Sequence, residues 1–263
     1  MYNPAKLLLA ACTLFASAGA WGADRELTLS GGSGSEADPY LISTKADILE
    51  LAEACNTPEG TATNGTTASH YSGVHFLMTA DIDLGGDGEF IGIATAPAKY
   101  APGTTWKFQG IFDGGGHTVS GMNIKGVTFD DTGKAQTAGA SRSRSYVGFF
   151  GYLDGAVVRN LNIAADCVVE AYAYAGSVAG YSDKGSVISN CTSLATLKVY
   201  DGNCGGIVGR VNSAKTTPAT IENCYFGGSV SCCNMYIGGI AGYLGSGNPS
   251  ITNCYSIGKL TVL

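Results

Sequence analysis

The chain has 263 residues, enough for one large domain or two small ones, with 39 glycines and only 14% charged residues. Its net charge is −6 and no run of Lys or Arg occurs, which excludes the electrostatic footprint of a nucleic-acid-binding protein. The apolar run near the N-terminus is too short to span a bilayer, so no membrane span is expected.

Residues 1–23 read as a secretory signal peptide. Lys6 supplies the positive start, Leu7 to Ala20 the apolar stretch, and Ala18-Gly19-Ala20 a small-x-small cleavage site. A rival reading takes Leu9-Ala-Ala-Cys12 as a lipoprotein box with Cys12 lipidated, but apolar residues continue past Cys12 and favour plain secretion. The expected location is extracellular or at the cell surface. Asp38-Pro-Tyr-Leu-Ile42 reads as a first strand. Thr44, three residues before Asp47, then opens a helix with a near capping box, and Ile48, Leu49, Leu51, Ala52 and Cys55 give that helix an apolar face. Residues 57–72 form a polar loop, after which Phe76, Met78, Ile82 and Leu84 alternate as strand residues do. A Pro-containing loop spans 94–105, a divergent strand-rich segment 108–124 and a polar insertion 126–145.

From Tyr146 onward one short stretch recurs four times. Its Gly-rich strand reads Tyr146-Val-Gly-Phe-Phe-Gly-Tyr152, Ala175-Gly-Ser-Val-Ala-Gly-Tyr181, Cys204-Gly-Gly-Ile-Val-Gly-Arg210 and Ile237-Gly-Gly-Ile-Ala-Gly-Tyr243. An Asn element follows each strand and places Asn160, Asn190, Asn223 and Asn253 at steps of 30, 33 and 30. A near-fixed period of this size signals a solenoid. Helices disfavour interior Gly by about 1 kcal/mol each, and the apolar residues alternate, so each period is a coil of short strands. Stacked coils place equivalent residues in columns about 4.8 Å apart. The expected inward columns are Phe149, Val178, Ile207, Ile240; then Val158, Ile188, Ile221, Ile251; then Leu161, Cys191, Cys224, Cys254. Two further columns are expected: Cys167, Leu197, Val230, Leu260, and Val169, Val199, Cys232, Val262. In the early segment Ile111, Val119, Met122 and Ile124 are expected to fall in the columns of Phe149, Val158, Leu161 and Ile163. Asn suits a bent backbone and bonds its own turn, and stacked amides donate along the column. Removing one is expected to leave buried backbone groups unpaired.

The fold expected from the residues is thus an all-β parallel β-helix solenoid with an N-terminal capping helix. Residues 24–145 would form the cap and irregular first coils, and 146–263 the regular coils of the same domain. A solenoid must hide both ends of its core. The helix near Thr44–Cys55 serves one end, whereas the chain stops just past Val262 with no second cap. Self-association through an open last coil, or a longer parent protein, is expected from this.

Catalytic patterns are scarce. His117 in Asp113-Gly-Gly-Gly-His117 lies beside a carboxylate and reads as a structural hydrogen bond. Asp81-Ile-Asp83-Leu-Gly-Gly-Asp87-Gly-Glu89 faintly suggests a calcium loop, but Gly85 and Gly92 stand where ligands are needed, so a surface turn is expected. The outward column before Asn is read as Ser120, Arg159, Ser189, Glu222, Thr252, and one Arg with one Glu makes no paired acid–base site. The turn residues Asp154, Asp183 and Asn212 share a column. Eight Cys follow the leader, at 55, 167, 191, 204, 224, 232, 233 and 254. Most replace Leu, Val or Ala of other coils and are expected to be core thiols, with disulfides the alternative. No cofactor and no metal are expected, since no CxxC or paired His is present. Tyr is abundant, 14 in all. Tyr152, Tyr181 and Tyr243 share a column with Arg210, and Tyr225 and Tyr255 share another. These six are the candidate ligand-binding residues, against plain cross-strand stacking.

The pattern G-G-[IV]-[AV]-G followed by [IV]-x-N-C resembles the GLUG repeat of bacterial surface proteins, found in immunoglobulin A1 peptidases and large adhesin-like proteins. The likeness extends to Gly34-Ser-Glu-Ala-Asp-Pro-Tyr-Leu-Ile42 and to Phe108–Met122. It implies a right-handed β-helix at the cell surface, and the tyrosine columns add the expectation of a module that binds a glycan or a host or surface protein. No H-E-x-x-H is present, so the peptidase chemistry is not carried over. A β-helix polysaccharide lyase or glycoside hydrolase is the alternative.

Overall fold

The structure is a computed structural model that describes residues 25–56, 68–85, 90–95, 106–125, 146–233 and 236–263. The signal peptide expected at 1–23, the insertion at 126–145 and most of the two other long loops lie outside the described residues.

The chain is an all-β parallel solenoid with one helix among the described residues. It winds repeatedly through four walls, each a parallel sheet with one strand per coil. The first wall has seven strands, the second six, the third five and the fourth six. In the coil that starts at Phe150, the fourth wall holds Phe150–Asp154, the first Val157–Arg159, the second Asn162–Ile163 and the third Val168–Ala171. The chain then returns to the fourth wall at Ala179–Asp183, directly above its previous pass.

Two backbone features make the coil close. Asn160, Asn190, Asn223 and Asn253 all have φ of 52–53°, the left-handed region, and turn the chain from the first wall into the second. An L residue with an ordinary side chain pays about 1–2 kcal/mol there, and Asn is among the few that visit it routinely. The amides also stack: Asn190 Nδ2 donates to Asn160 Oδ1 at 3.2 Å, and Asn253 Nδ2 to Asn223 Oδ1 at 3.3 Å. Two steps of the expected ladder are thus present, and Asn190, Asn223 and Asn253 are exposed, so they do not shield buried backbone. The recurring Gly of the fourth wall answers a different need. A Cβ on Gly180, Gly209 or Gly242 would sit within 2.2–2.6 Å of the backbone nitrogen of Val147, Ala175 or Cys204. The segment entering one coil thus crosses the next coil too closely for any side chain.

The core lies between the walls, as one continuous cluster from Leu27 to Cys232. Trp106, Phe76, Phe108, Phe112, Phe149 and Phe150 fill the early coils, with the Phe108 and Phe150 rings 4.8 Å apart. Each such side chain contributes roughly 1.5–3 kcal/mol by leaving water. Later coils are lined by Val, Ile, Leu and Cys. Helix α1 (Lys45–Cys55) closes the first end, placing Ile48, Leu51, Ala52 and Cys55 in this core. Its capping box is complete. Asp47 accepts from the Thr44 and Ser43 amides at 2.8 and 2.9 Å and from Ser30 Oγ at 2.7 Å, while Thr44 Oγ1 accepts from the Asp47 amide. Lys45 Nζ and Asn56 Nδ2 tie the helix to the carbonyls of Gly85 and Gly92, each at 2.7 Å.

Three expected columns hold in full register: Phe149 to Ile240, Val158 to Ile251, and Leu161 to Cys254. Others shift. Val169, not Cys167, lies beneath Leu197, Val230 and Leu260, and Ala171 lies beneath Val199, Cys232 and Val262. The turn leaving Ile163 is two residues longer than the turn leaving Ser193, and an even insertion leaves the in–out alternation unchanged. In the early coil Phe112 stacks under Val158, Val119 under Ile163 and Ile124 under Val169, while Ile111 pairs with Val157 on the outer side. The residue beneath Arg159 is consequently Asp113, not Ser120.

Candidate tyrosine surface

The fourth wall presents Tyr152, Tyr181, Arg210 and Tyr243 in one column, as expected. The Tyr152 and Tyr181 rings stack at 4.7 Å. A parallel column begins just before each Gly-rich strand, where Tyr146 and Tyr174 stack at 5.3 Å with planes 13° apart. Tyr146 then meets Tyr152 and Tyr181 edge-on at 5.4 and 5.2 Å. Cations bracket the cluster. Lys107 Nζ lies 5.1 Å from the Tyr152 ring, and the Arg210 guanidinium lies 4.9–5.8 Å from the rings of Tyr243, Tyr174 and Tyr181. Such contacts are worth about 0.5–2 kcal/mol, depending on desolvation.

Exposure separates the six candidates. Tyr152 and Tyr181 are only 8% and 9% exposed, and their hydroxyls are in use. Tyr152 donates to Asp183 Oδ2 at 3.1 Å, and Asn212 Nδ2 donates to the Tyr181 hydroxyl. Burial pushes the Tyr181 hydroxyl up to about 12, and burial with the Asp183 carboxylate pushes Tyr152 higher still, so both stay neutral. Tyr243 and Arg210 are half-buried. The open rings lie elsewhere: Tyr255 is 63% exposed and stacks at 4.7 Å on half-buried Tyr225 in the second wall. Tyr236 is 49% exposed and 5.1 Å from Tyr243. Tyr146, Tyr174 and Tyr236 were missed as a set, although each stands immediately before a repeated apolar–Gly pair.

Asp113, Asp81 and Asp154 are engaged. Asp113 accepts from Arg159 Nε at 2.7 Å and from Asn160 Nδ2 and the Gly115 amide at 2.9 Å. Burial alone would raise its pKa, but these donors outweigh it and hold the group below the usual carboxylate range. His117 Nδ1 lies 3.3 Å from Asp81 Oδ1, not beside Asp113, and Asp81 also accepts from the Thr118 amide at 2.8 Å. In the Asp154, Asp183, Asn212 column, Asp154 is nearly buried and pairs with Lys107 at 3.2 Å and Lys184 at 3.3 Å. Residues 86–89 of the calcium-like loop lie outside the described residues. Among the described residues no three His, Cys, Asp or Glu side chains group to hold a metal, and no helix is long and apolar enough to cross a membrane.

The thiols follow the coil. Cys191, Cys224 and Cys254 each point their Sγ at the carbonyl two residues back, that of Ser189, Glu222 or Thr252, at 3.2–3.3 Å. Cys167, Cys191, Cys204, Cys224, Cys232 and Cys254 are free thiols. Burial pushes Cys167 up to about 11, so it is unreactive at neutral pH.

Residues 234–262, the last coil, match the family described as "The GLUG motif". The same registered columns run down from this coil into those below it. The last coil carries the GLUG motif. A GLUG-bearing chain of this kind has distant relatives. It is 27% identical over 183 residues to halomucin of Haloquadratum walsbyi, a match that covers 70% of this chain and 2% of halomucin. Among solved structures it resembles a "putative immunoglobulin A1 protease" from Bacteroides ovatus, with a TM-score of 0.51 and 18% identity over 88% of this chain and 80% of that one. At that identity the likeness concerns the fold alone.

Proposed function

We propose that the chain is an exported, extracellular or cell-surface GLUG module that binds a glycan or a protein surface and performs no catalysis of its own. The observation that carries this reading is the Tyr225–Tyr255 ridge, whose rings repeat at the coil pitch on a rigid wall, with Tyr255 63% exposed. Exposed, pre-positioned aromatic rings bind with little entropic cost and pack well on sugar or peptide. The leader-like residues 1–23 and the similarity to halomucin support placement outside the cell.

The engagement of the closest carboxylates argues against a lyase or hydrolase: Asp154 and Asp183 lie one strand step apart, but Asp154 is nearly buried and paired with Lys107 and Lys184, and Asp183 accepts from the Tyr152 hydroxyl. Asp113 and Glu222 lie in one outward column, three strand steps apart, or about 14 Å at 4.8 Å per step. Glycosidase carboxylates stand about 5–9.5 Å apart. The test is binding to a glycan array and to extracellular protein extracts, repeated with Tyr225→Ala and Tyr255→Ala. Loss of about tenfold or more in affinity for the double variant is expected, as for an interface anchor. Undiminished binding without both rings would refute the ridge. Turnover of a polysaccharide that vanishes in Glu222→Gln would refute the non-catalytic reading.

A further inference from the structure

One rung of the fourth wall departs from those before it at two positions together. Tyr152 is followed two residues on by Asp154, and Tyr181 by Asp183, whereas Arg210 is followed by Asn212. A cation replaces a tyrosine and a neutral amide replaces a carboxylate. The cation beside Tyr152, Lys107, is paired with Asp154 at 3.2 Å. Arg210 has no carboxylate partner among the described residues. Its Nε donates to Asn212 Oδ1 at 3.4 Å, and its terminal N–H groups make no hydrogen bond within the described residues. Asp183, one rung away, already accepts from the Tyr152 hydroxyl and the Lys184 amide. The guanidinium is nonetheless held in place. It lies 5.7 and 5.8 Å from the rings of Tyr174 and Tyr181, which meet edge-on at 6.1 Å. Tyr174 is itself fixed by its stack on Tyr146. A half-buried cation held by aromatic faces, without a counter-charge, is poised for an outside anion even in a chain of net charge −6.

We infer that Arg210 is the anion-binding residue of a subsite for an acidic glycan, its guanidinium taking a carboxylate or sulfate and the Tyr174 ring packing on the sugar. The inference rests on the reading of the chain as a binding module, and it adds a site on the fourth wall, apart from the Tyr225–Tyr255 ridge of the second. The planar fork of an arginine meets either anion in two parallel hydrogen bonds. The wall favours a glycan over a peptide. The strand of Arg210 is paired on both sides, so it offers no free edge to an extended peptide. Rigid aromatic faces beside unused N–H donors suit a sugar ring that carries an acid group.

Isothermal titration calorimetry of the full chain tests the inference, with oligogalacturonate, chondroitin sulfate oligosaccharides, neutral cello-oligosaccharides and poly-glutamate as probes. At least one acidic sugar should bind at least tenfold more tightly than the neutral one, and more weakly as salt is raised. Arg210→Gln should weaken that binding at least tenfold, while Tyr225→Ala with Tyr255→Ala should leave it within a few-fold. Asn212→Asp supplies a second variant should the first fail to fold. It recreates beside Tyr181 the arrangement that Asp183 makes with Tyr152, and its carboxylate should neutralise Arg210 and weaken binding as much. No preference for acidic over neutral sugars, or indifference to both variants, would overturn the inference. Neutral-sugar binding lost only with Tyr225 and Tyr255 would overturn it while leaving the ridge standing. Poly-glutamate bound as tightly through Arg210 would overturn the glycan assignment in favour of acidic peptides.

Discussion

The Asn corner offers a test that separates backbone conformation from side-chain bonding. Asn223 sits at φ 53°, its side chain is exposed, and its Oδ1 accepts one hydrogen bond, from Asn253 at 3.3 Å. Replacing it with Ala keeps the left-handed backbone but brings the full steric cost of an ordinary Cβ there, about 1–2 kcal/mol, part of which Asn already bears. The exposed amide bond adds at most about 0.5–1 kcal/mol. Asn223→Ala should therefore cost about 1–2 kcal/mol in total. Asn223→Gly loses the same hydrogen bond but removes the Cβ strain, so it should cost from nothing to about 1 kcal/mol. The quantity to measure is the difference between the two variants, about 1 kcal/mol in favour of Gly. In a chain of this size that is roughly 2–4 °C in Tm, readable by calorimetry or by urea titration followed by circular dichroism. If Gly proves as damaging as Ala, the amide stack and not the corner conformation is what the Asn column provides, and the reasoning fails.

Gly209→Ala should cost at least about 1–3 kcal/mol by overpacking, since its Cβ would lie 2.5 Å from the Ala175 nitrogen; an unchanged Tm would mean that the crossing segments can separate freely. Asp47 bears on acid stability. Burial tends to raise its pKa, but hydrogen bonds from Ser30, Ser43 and Thr44 outweigh that and lower it. Its contribution is therefore complete above the ordinary carboxyl value of 3.8 and is lost as pH falls from there through the depressed folded value. Stability measured against pH should show a shallower acid limb in Asp47→Asn than in the parent, and parallel limbs would contradict this. Cys191→Val should fold with a loss under about 1 kcal/mol, since one weak S–H bond is given up in an otherwise apolar column. Titration of the denatured chain without reductant should find Cys167, Cys191, Cys204, Cys224, Cys232 and Cys254 reactive, and a chain with every thiol blocked would contradict the assignment.

The architecture was legible because a solenoid repeats its physics. The Asn of every coil marks the same left-handed corner, and the Gly of every fourth-wall strand marks the same close crossing, so the period exposes both. The capping box was legible because its two partners are three residues apart. Register was harder. In–out alternation carries one bit of information per residue, and a two-residue lengthening of a turn leaves that bit unchanged, which is why Cys167 was placed where Val169 stands. The same blindness hid the Asp113–Arg159 pair, because 46 residues separate the partners and no nearby sequence feature links them. At the tyrosine surface the columns were readable, but exposure was not. Whether Tyr152 is covered depends on Tyr146 and Lys107, which come from neighbouring segments whose path alternation does not describe.

The longer turn that misled the register has a practical consequence. Ala165 and Asp166 are exposed at its tip, while Ile163 before it and Val169 after it remain locked to their neighbours above and below. The scaffold thus holds its pitch while the rim changes length. A foreign peptide spliced between Ala165 and Asp166 would be displayed on the outside of an undisturbed rod, so this point suits epitope grafting or a fluorescent reporter.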